Sequence, residues 1–480
     1  MKFSRSAVAL LVLGALATQH AHATNGMNLS GYGPEAHAMG GASMAYDNGT
    51  AATMNNPATL ALMEDGSRFD VALGGLFPSI TASVPGMSAD STATAFYMPA
   101  IGWVNKSDGL VYGAGVFSQG GMGTEYGANT FMAAGSGDLV RSEVGVGRFI
   151  VPLAYDMGNG VTIGGTLDYV WAGMDLKMAL TGGQFGDMVA GLGGTQTYGS
   201  ASGSMVNTLV GAFTVPQVPC GGVACLSNLH WARVDFSNDS AFTGEAQGGG
   251  VAFKLGATFK ASSELTLGAS FHSKTSMSDM TSSGASMSMN VDGPATLGVA
   301  TTIPVTGSVA VHNFQWPQTI GLGAAYQASD DLMLVADYKR IGWKDVMKDF
   351  TLTFTADATQ ADPVAASFGL GGQVIDMGMI QNWDDQNVIE LGAAYKVSSA
   401  LTVRGGVNMA NNPVPDQYMN PLFPAVAKTN ISAGFGYAFS KQSSIDASFA
   451  YVPTNTVTGG NGVVVDFGGT SAQFLYSHRY

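Results

Sequence analysis

The sequence predicts an all-β fold: a transmembrane antiparallel β-barrel of fourteen strands, preceded by an N-terminal segment of different character. Three observations predict it. Charged residues are 11% of the 480-residue chain and glycine accounts for 66 positions; a soluble domain has roughly 25% charge and about half that share of glycine. Beyond the first two dozen residues, glycine or a polar residue interrupts every apolar run before it could form a spanning helix. Apolar and polar residues instead alternate with period two, between connections that are short and long in turn.

The first 23 residues read as a secretory leader. Lys2 and Arg5 form a positive start and Ala7 to Ala17 is apolar. His20-Ala21-His22-Ala23 supplies the small-residue pattern that places cleavage after Ala23. The apolar run is too short for a membrane anchor, which needs roughly 20 residues.

Four segments show the alternation plainly. Leu332, Leu334, Ala336 and Tyr338 share a face opposite Asp337 and Lys339. Ile445, Ala447, Phe449 and Tyr451 oppose Asp446 and Ser448. Leu401, Val403 and Val407 oppose Thr402, Arg404 and Asn408, and Val251, Phe253, Leu255 and Phe259 oppose Lys254 and Thr258. Successive side chains of a strand point to opposite faces, so each segment is apolar on one side and polar on the other. Extending the pattern places strands at 67–84, 93–106, 109–120, 140–157, 160–177, 249–262, 263–279, 308–327, 331–350, 384–397, 400–411, 427–439, 442–455 and 470–480. An even number leaves both barrel ends in the periplasm.

Short polar turns fall near 105–109, 156–160, 261–264, 328–331, 397–400 and 440–443, whereas 121–138, 178–248 and 351–383 are long. Short periplasmic turns and long outer loops are the outer-membrane pattern. Trp103, Tyr155, Phe259, Tyr326, Tyr395 and Phe439 each stand just before a short turn, and the chain ends at Tyr480. Aromatic rings favour the boundary between hydrocarbon and water, so a girdle explains their recurrence at one end of alternate strands.

Thr24 to Asp65 lacks strand alternation. It is rich in small residues, with Met39-Gly40-Gly41-Ala42, and Asn55-Asn56-Pro57-Ala58 reads as an ordered turn into a short helix. Small residues would let it pack inside a narrow lumen as a plug. The net charge of −14 excludes nucleic acid, whose phosphates need basic patches. Cys220 and Cys225 read as a local disulfide stapling a loop in an oxidising compartment. A metal pair is the competing reading, but no His or Cys cluster completes a site, so no metal or cofactor is expected.

Several segments resemble the FadL/TodX family of outer-membrane transporters of hydrophobic compounds. Gly33 to Ala61, with Gly40, Gly41 and Asn56-Pro57-Ala58, resembles the family's N-terminal hatch. Gln184 to Gly191 resembles the helical part of its long third loop. Trp316-Pro317, Gly342-Trp343, Asn412-Pro413-Val414-Pro415 and Gly434 to Phe439 also fit in order and spacing. Ser118 to Tyr126 resembles the kinked third strand, with Gly120, Gly121 and Gly123 supplying the glycines of a bulge.

The resemblance implies a fourteen-stranded barrel closed by a hatch over 24–65, passive uptake through an internal pocket, hatch movement and lateral exit at the third strand. It also implies ligand contacts at Lys177, Phe185, Met188, Trp383 and Asp384. An acid at Asp384 would repel a carboxylate, so neutral alkanes or aromatics stand beside long-chain fatty acids as ligands. Arg148, Lys254, Lys339 and Arg404 are further inward bases, expected to pair with lumen acids such as Asp337, Glu390 and Asp446.

Partners expected are hydrophobic small molecules, outer-membrane lipid and lipopolysaccharide, and the barrel-assembly machinery, with the chain acting as a monomer. No G-x-S-x-G or H-E-x-x-H motif supports an enzyme. A general diffusion porin and a structural or adhesive barrel remain the rival readings.

Overall fold

The computed structural model describes residues 24–216, 220, 222–240, 243–293 and 300–480. The expected leader, 1–23, lies outside them. The chain forms a closed antiparallel barrel. Its wall runs through Gly66–Val84, Phe96–Ser107, Leu110–Tyr126, Val140–Asp156, Val161–Thr181, Ala246–Lys260, Leu265–His272, Thr319–Ser329, Leu332–Ile341, Gln386–Lys396, Leu401–Ala410, Thr429–Ala438, Ser443–Thr458 and Val464–Arg479. Each strand pairs with the next in this order. Val464–Arg479 returns to Gly66–Val84, from Val464 opposite Ser83 to Arg479 opposite Arg68, so the ring of strands closes. Among the described residues no helix is long and apolar enough to cross a membrane.

The barrel is inside out. Leu334 is 42% exposed and Asp337 5%; Phe253 is exposed where Lys254 is buried, and Phe449 where Ser448 is buried. A water-soluble barrel would show the reverse. Lipid solvates the apolar outer face, while the hydrogen-bonded ladder satisfies the backbone within the membrane. Tyr155, Phe259, Tyr326, Tyr395, Phe439 and Tyr480 are exposed near the short turns, as a girdle requires, and Trp103 is half-buried.

Residues 25–61 lie inside the barrel and are almost entirely buried. Short helices at Pro34–Ala38, Gly49–Thr53 and Pro57–Leu62 shape them. Polar contacts with the inner wall hold them. The Ser43 and Met44 N–H groups donate to Asp337, and both His37 ring nitrogens meet hydroxyls, of Ser448 and Ser471. Arg404 pairs with Glu35 and Asp446, both within 2.8 Å. Arg68 reaches Asp47 and Asp70, each at 3.3 Å. Small residues permit this fit: a Cβ at Gly406 would lie 2.2 Å from the Met39 carbonyl carbon.

Asn56 caps Pro57–Leu62 by accepting from the Ala58 N–H, and its amide donates to the Met44 carbonyl at 2.7 Å. Asn56→Ala should therefore loosen this segment by about 1–2 kcal/mol, the usual loss of a helix cap. Faster hydrogen exchange confined to 44–62 would register the effect; unchanged exchange would count against it.

The expected strand centres hold, but several outer ends differ. The strand expected at 263–279 stops at His272, and that at 308–327 begins at Thr319. The strand expected at 331–350 stops at Ile341, because a 3-10 turn begins at Trp343. The last strand starts earlier than expected, at Val464.

The long connections are built rather than irregular. Asn228–Phe236, Met280–Asp292, Ala300–His312, Asp349–Ala356, Val374–Ile380 and Gly199–Ser202 form an outer sheet that continues from the end of Val161–Thr181. Ser204–Thr214 buries Met205, Val206 and Leu209 beneath it. Alternation in these segments serves pairing above the wall, which is why it blurred the wall boundaries. Cys220 and Cys225 are joined in this outer region, with Cα atoms 5.3 Å apart.

Candidate functional site

The strand Leu110–Tyr126 departs from regular pairing at the glycine-rich stretch. Its ladder with Phe96–Ser107 ends where Ala100 faces Phe117. Its ladder with Val140–Asp156 continues to Tyr126, with a register shift between Ser118 and Gly120. Beyond Ser118 the strand has lost its wall neighbour Phe96–Ser107, until the Thr92 N–H donates to the Glu125 carbonyl at 2.8 Å. The bulge buries Gln119. Gly120 has φ +151°, and a Cβ there would lie 2.2 Å from the Met27 carbonyl oxygen. Glycine alone lets the two backbones meet. Gly121 N–H donates to that Met27 oxygen over 3.1 Å, and Asn28 pairs in register with Gly120. At Gly123 a Cβ would lie 2.8 Å from the Ser142 carbonyl oxygen.

A cavity of about 780 Å³ occupies the gap. Its lining includes buried Ile80, Val144 and Phe467, and also outward-facing Tyr97, Tyr169 and Trp171. Residues from both faces of one sheet can line one space only where that space passes through the sheet. The backbone ladder of the wall is interrupted at this point.

A smaller inner cavity, about 30 Å³, lies against Met27, Val144, Phe314, Phe350, Trp383 and Phe423. Val144 lines both spaces, and Met27, which lines the inner one, sets its carbonyl against Gly120 and Gly121 of the gap. Three tryptophans converge beside the inner cavity. Trp316 and Trp343 meet edge to face at 5.7 Å, and Trp343 and Trp383 at 5.3 Å, all fully buried. Such contacts add about 0.5–1.5 kcal/mol beyond burial and fix the rings. The Trp383 indole N–H has no hydrogen-bond partner among the described residues. A Cβ on Gly26 would lie 2.8 Å from Trp343 Nε1, so the N-terminal segment packs directly on this cluster.

The charges around these spaces are compensated. Arg148 and Lys254 both pair with Asp168, and Lys339 pairs with Glu390. Arg141 sits among Glu125, Glu143 and Asp175. Glu143 is the charged residue lining the wall gap.

The proposed ligand contacts do not assemble into one site. Trp383 lines the inner cavity. Asp384, next to it, is exposed and lines neither cavity, and its N–H donates to the Pro413 carbonyl. Lys177 is largely buried, pairs with Asp239 at 2.8 Å and lines neither cavity. Phe185 and Met188 are buried in the outer core on Gly182–Met188, a helix begun by a Thr181–Gln184 capping box, and line neither cavity. Asp187 on that helix is held below the usual carboxylate range by the Thr195 hydroxyl and N–H.

Sequence reading missed the tryptophan cluster, although a signal exists. Trp316, Trp343 and Trp383 each fall within a few residues of the outer ends of three successive wall strands. Neighbouring strands bring such positions together.

These features can be compared with known proteins. A family model described as "Outer membrane protein transport protein (OMPP1/FadL/TodX)" matches residues 11–462. This chain belongs to the OMPP1/FadL/TodX family. The solved P. putida toluene transporter TodX superposes with a TM-score of 0.78 at 27% identity, covering 94% of this chain and 99% of that one. The Ralstonia pickettii toluene transporter TbuX gives 0.72 at 28%, covering 94% and 99%. A Salmonella typhi long-chain fatty acid transport protein is 24% identical over 155 residues, 31% of this chain and 35% of that one. This chain thus matches about a third to a half of the length of its curated relatives, 35% and 47%. Family membership places the barrel in the outer membrane, and the family is one of transport proteins.

Proposed function

We propose that this chain is a passive outer-membrane channel for hydrophobic compounds. Its wall is a fourteen-stranded barrel over 66–480, 24–65 is its hatch, and 178–248 is its main outer loop. The cyclic pairing supports the count, and the burial of 25–61 in the lumen supports the hatch. The observation that carries the reading is that the inner cavity and the wall gap share Val144, with Met27 of the inner cavity bonded through its carbonyl to Gly121 of the gap. A ligand held against Trp383 and Phe423 reaches the gap when Met27 withdraws, and leaves sideways past Gly120, Gly121 and Gly123.

Magnitudes favour this route. At about 30 Å³ the inner cavity is far smaller than the roughly 150 Å³ that accepts benzene. Entry of a ring therefore displaces side chains such as Met27. An apolar solute gains about 25 cal/mol per Å² on leaving water, so lateral exit into lipid is downhill where an aqueous pore is not.

The ligand class favoured is neutral. A buried carboxylate needs an available cation, and Arg148, Lys254, Lys177 and Arg141 are each already paired. The relatives named toluene transporters agree with this preference; the one named for long-chain fatty acids does not. The chain works as a monomer in contact with lipid and lipopolysaccharide, and its last strand, ending at Tyr480, serves recognition by the barrel-assembly machinery.

Proteoliposomes carrying the protein should take up toluene well above empty vesicles, oleate less, and glucose at the empty-vesicle rate. Glucose entry would favour a porin, and absence of all flux a structural or adhesive barrel.

A further inference from the structure

Asn28 occupies a position that the route itself does not explain. It is buried, and its side-chain oxygen accepts two hydrogen bonds. One comes from Trp316 Nε1 at 2.7 Å, the other from Gln119 Nε2 at 2.9 Å. Trp316 belongs to the cluster beside the inner cavity; Gln119 is the residue turned inward by the bulge. The Gln119 amide also donates to the Tyr32 hydroxyl, which donates back to the Gln119 carbonyl, at 2.8 and 2.7 Å. The backbone of Met27 and Asn28 meanwhile lies beside Gly120, where the wall strand has lost its neighbour. One carboxamide oxygen therefore ties together the tryptophan cluster, the hatch and the kinked strand.

We propose that Asn28 is the positioning residue that couples the tryptophan-lined cavity to the wall gap. The inference rests on the channel reading above and goes beyond it by naming the joint. With both bonds made, Met27 is held against Gly120 and Gly121. A ligand that tilts the tryptophan rings withdraws the Trp316 donor, Asn28 loosens, and the first hatch residues move off Gly120. A hydrogen bond's net worth, expressed as an equilibrium ratio, makes each lost bond shift the closed–open balance roughly fivefold.

The test places a cysteine at Met174, which lines the inner cavity and is buried. Cys220 and Cys225 are joined, so it is the free thiol. Full-length Met174→Cys protein in liposomes is exposed to an alkyl maleimide dissolved in the bilayer, with and without toluene. Heat-modifiable migration on gels verifies the fold. The parent should label slowly and accelerate with toluene. Asn28→Leu and Trp316→Phe should each label about fivefold faster without toluene and gain little from it. Gln119→Met, on the other side of the joint, should match them. Asn28→Asp, which keeps an acceptor oxygen, should behave as the parent; a merely structural site would not be rescued this way. Ligand-free labelling of folded Asn28→Leu and Gln119→Met at the parent rate would overturn the proposal. A parent indifferent to toluene, beside fast ligand-free labelling of these variants, would instead remove toluene as the ligand and leave the joint standing.

Discussion

Gly145→Trp should cut uptake of apolar solutes by about tenfold while leaving the barrel folded. Gly145 lines the wall gap, and no atom lies within 4 Å of where its Cβ would stand. Its partners in register are Gly121 and Gly173, which carry no side chains to oppose an indole placed across the gap. A tenfold loss of rate needs only about 1.4 kcal/mol of added barrier, less than moving a packed indole costs. Gly120 is the wrong position for this test, because a side chain there strikes the Met27 carbonyl and disturbs the N-terminal segment as well. Gly145→Ala is the control and should transport normally. Proteoliposome uptake of toluene reads the result. Unimpaired flux through folded Gly145→Trp would place the exit elsewhere.

Removal of 24–65 should convert a barrel that is silent in planar bilayers into one with resolved ionic conductance. The wall closes through its own ladder, from Gly66–Val84 round to Val464–Arg479, and among its backbone bonds the contact of Gly121 N–H with the Met27 oxygen is made by 24–65. Arg404 keeps Asp446, and Lys339 keeps Glu390. Asp337 loses the Ser43 and Met44 donors, but water entering the emptied lumen replaces them. A purely hydrophobic contact could not be vacated so cheaply; a polar lumen can. Conductance equal to that of the full chain would show that 24–65 does not block the passage.

Much of this was legible in the sequence because lipid enforces a simple rule. A side chain on the outer face must be apolar, so period two marks each wall strand, and short turns mark one end. The bulge was legible too, from glycines and a family likeness. The place of Lys177 was not legible, because near the outer end of its strand parity stops reporting lipid: Asp175 has the parity of Tyr169 and Trp171 and is buried. The orientation of Asp384 was not legible for a different reason. Beyond the strand end at Gln386 the alternation lapses, and which of Trp383 and Asp384 turns inward depends on packing against Trp343. The outer strands were missed because they alternate for pairing with one another above the membrane rather than for lipid.

By itself the sequence determined the class of fold, the wall strands, the girdle and the position of the bulge, since each is a local response to lipid, water or backbone geometry. Only the tertiary structure decided that Asn28 meets Gln119, 91 residues away, and Trp316, 288 residues away. Contacts across a lumen depend on how the closed sheet sets its register and on how the inner segment settles within it. No local pattern carries that information, because the partners are chosen by the shape of the finished cylinder.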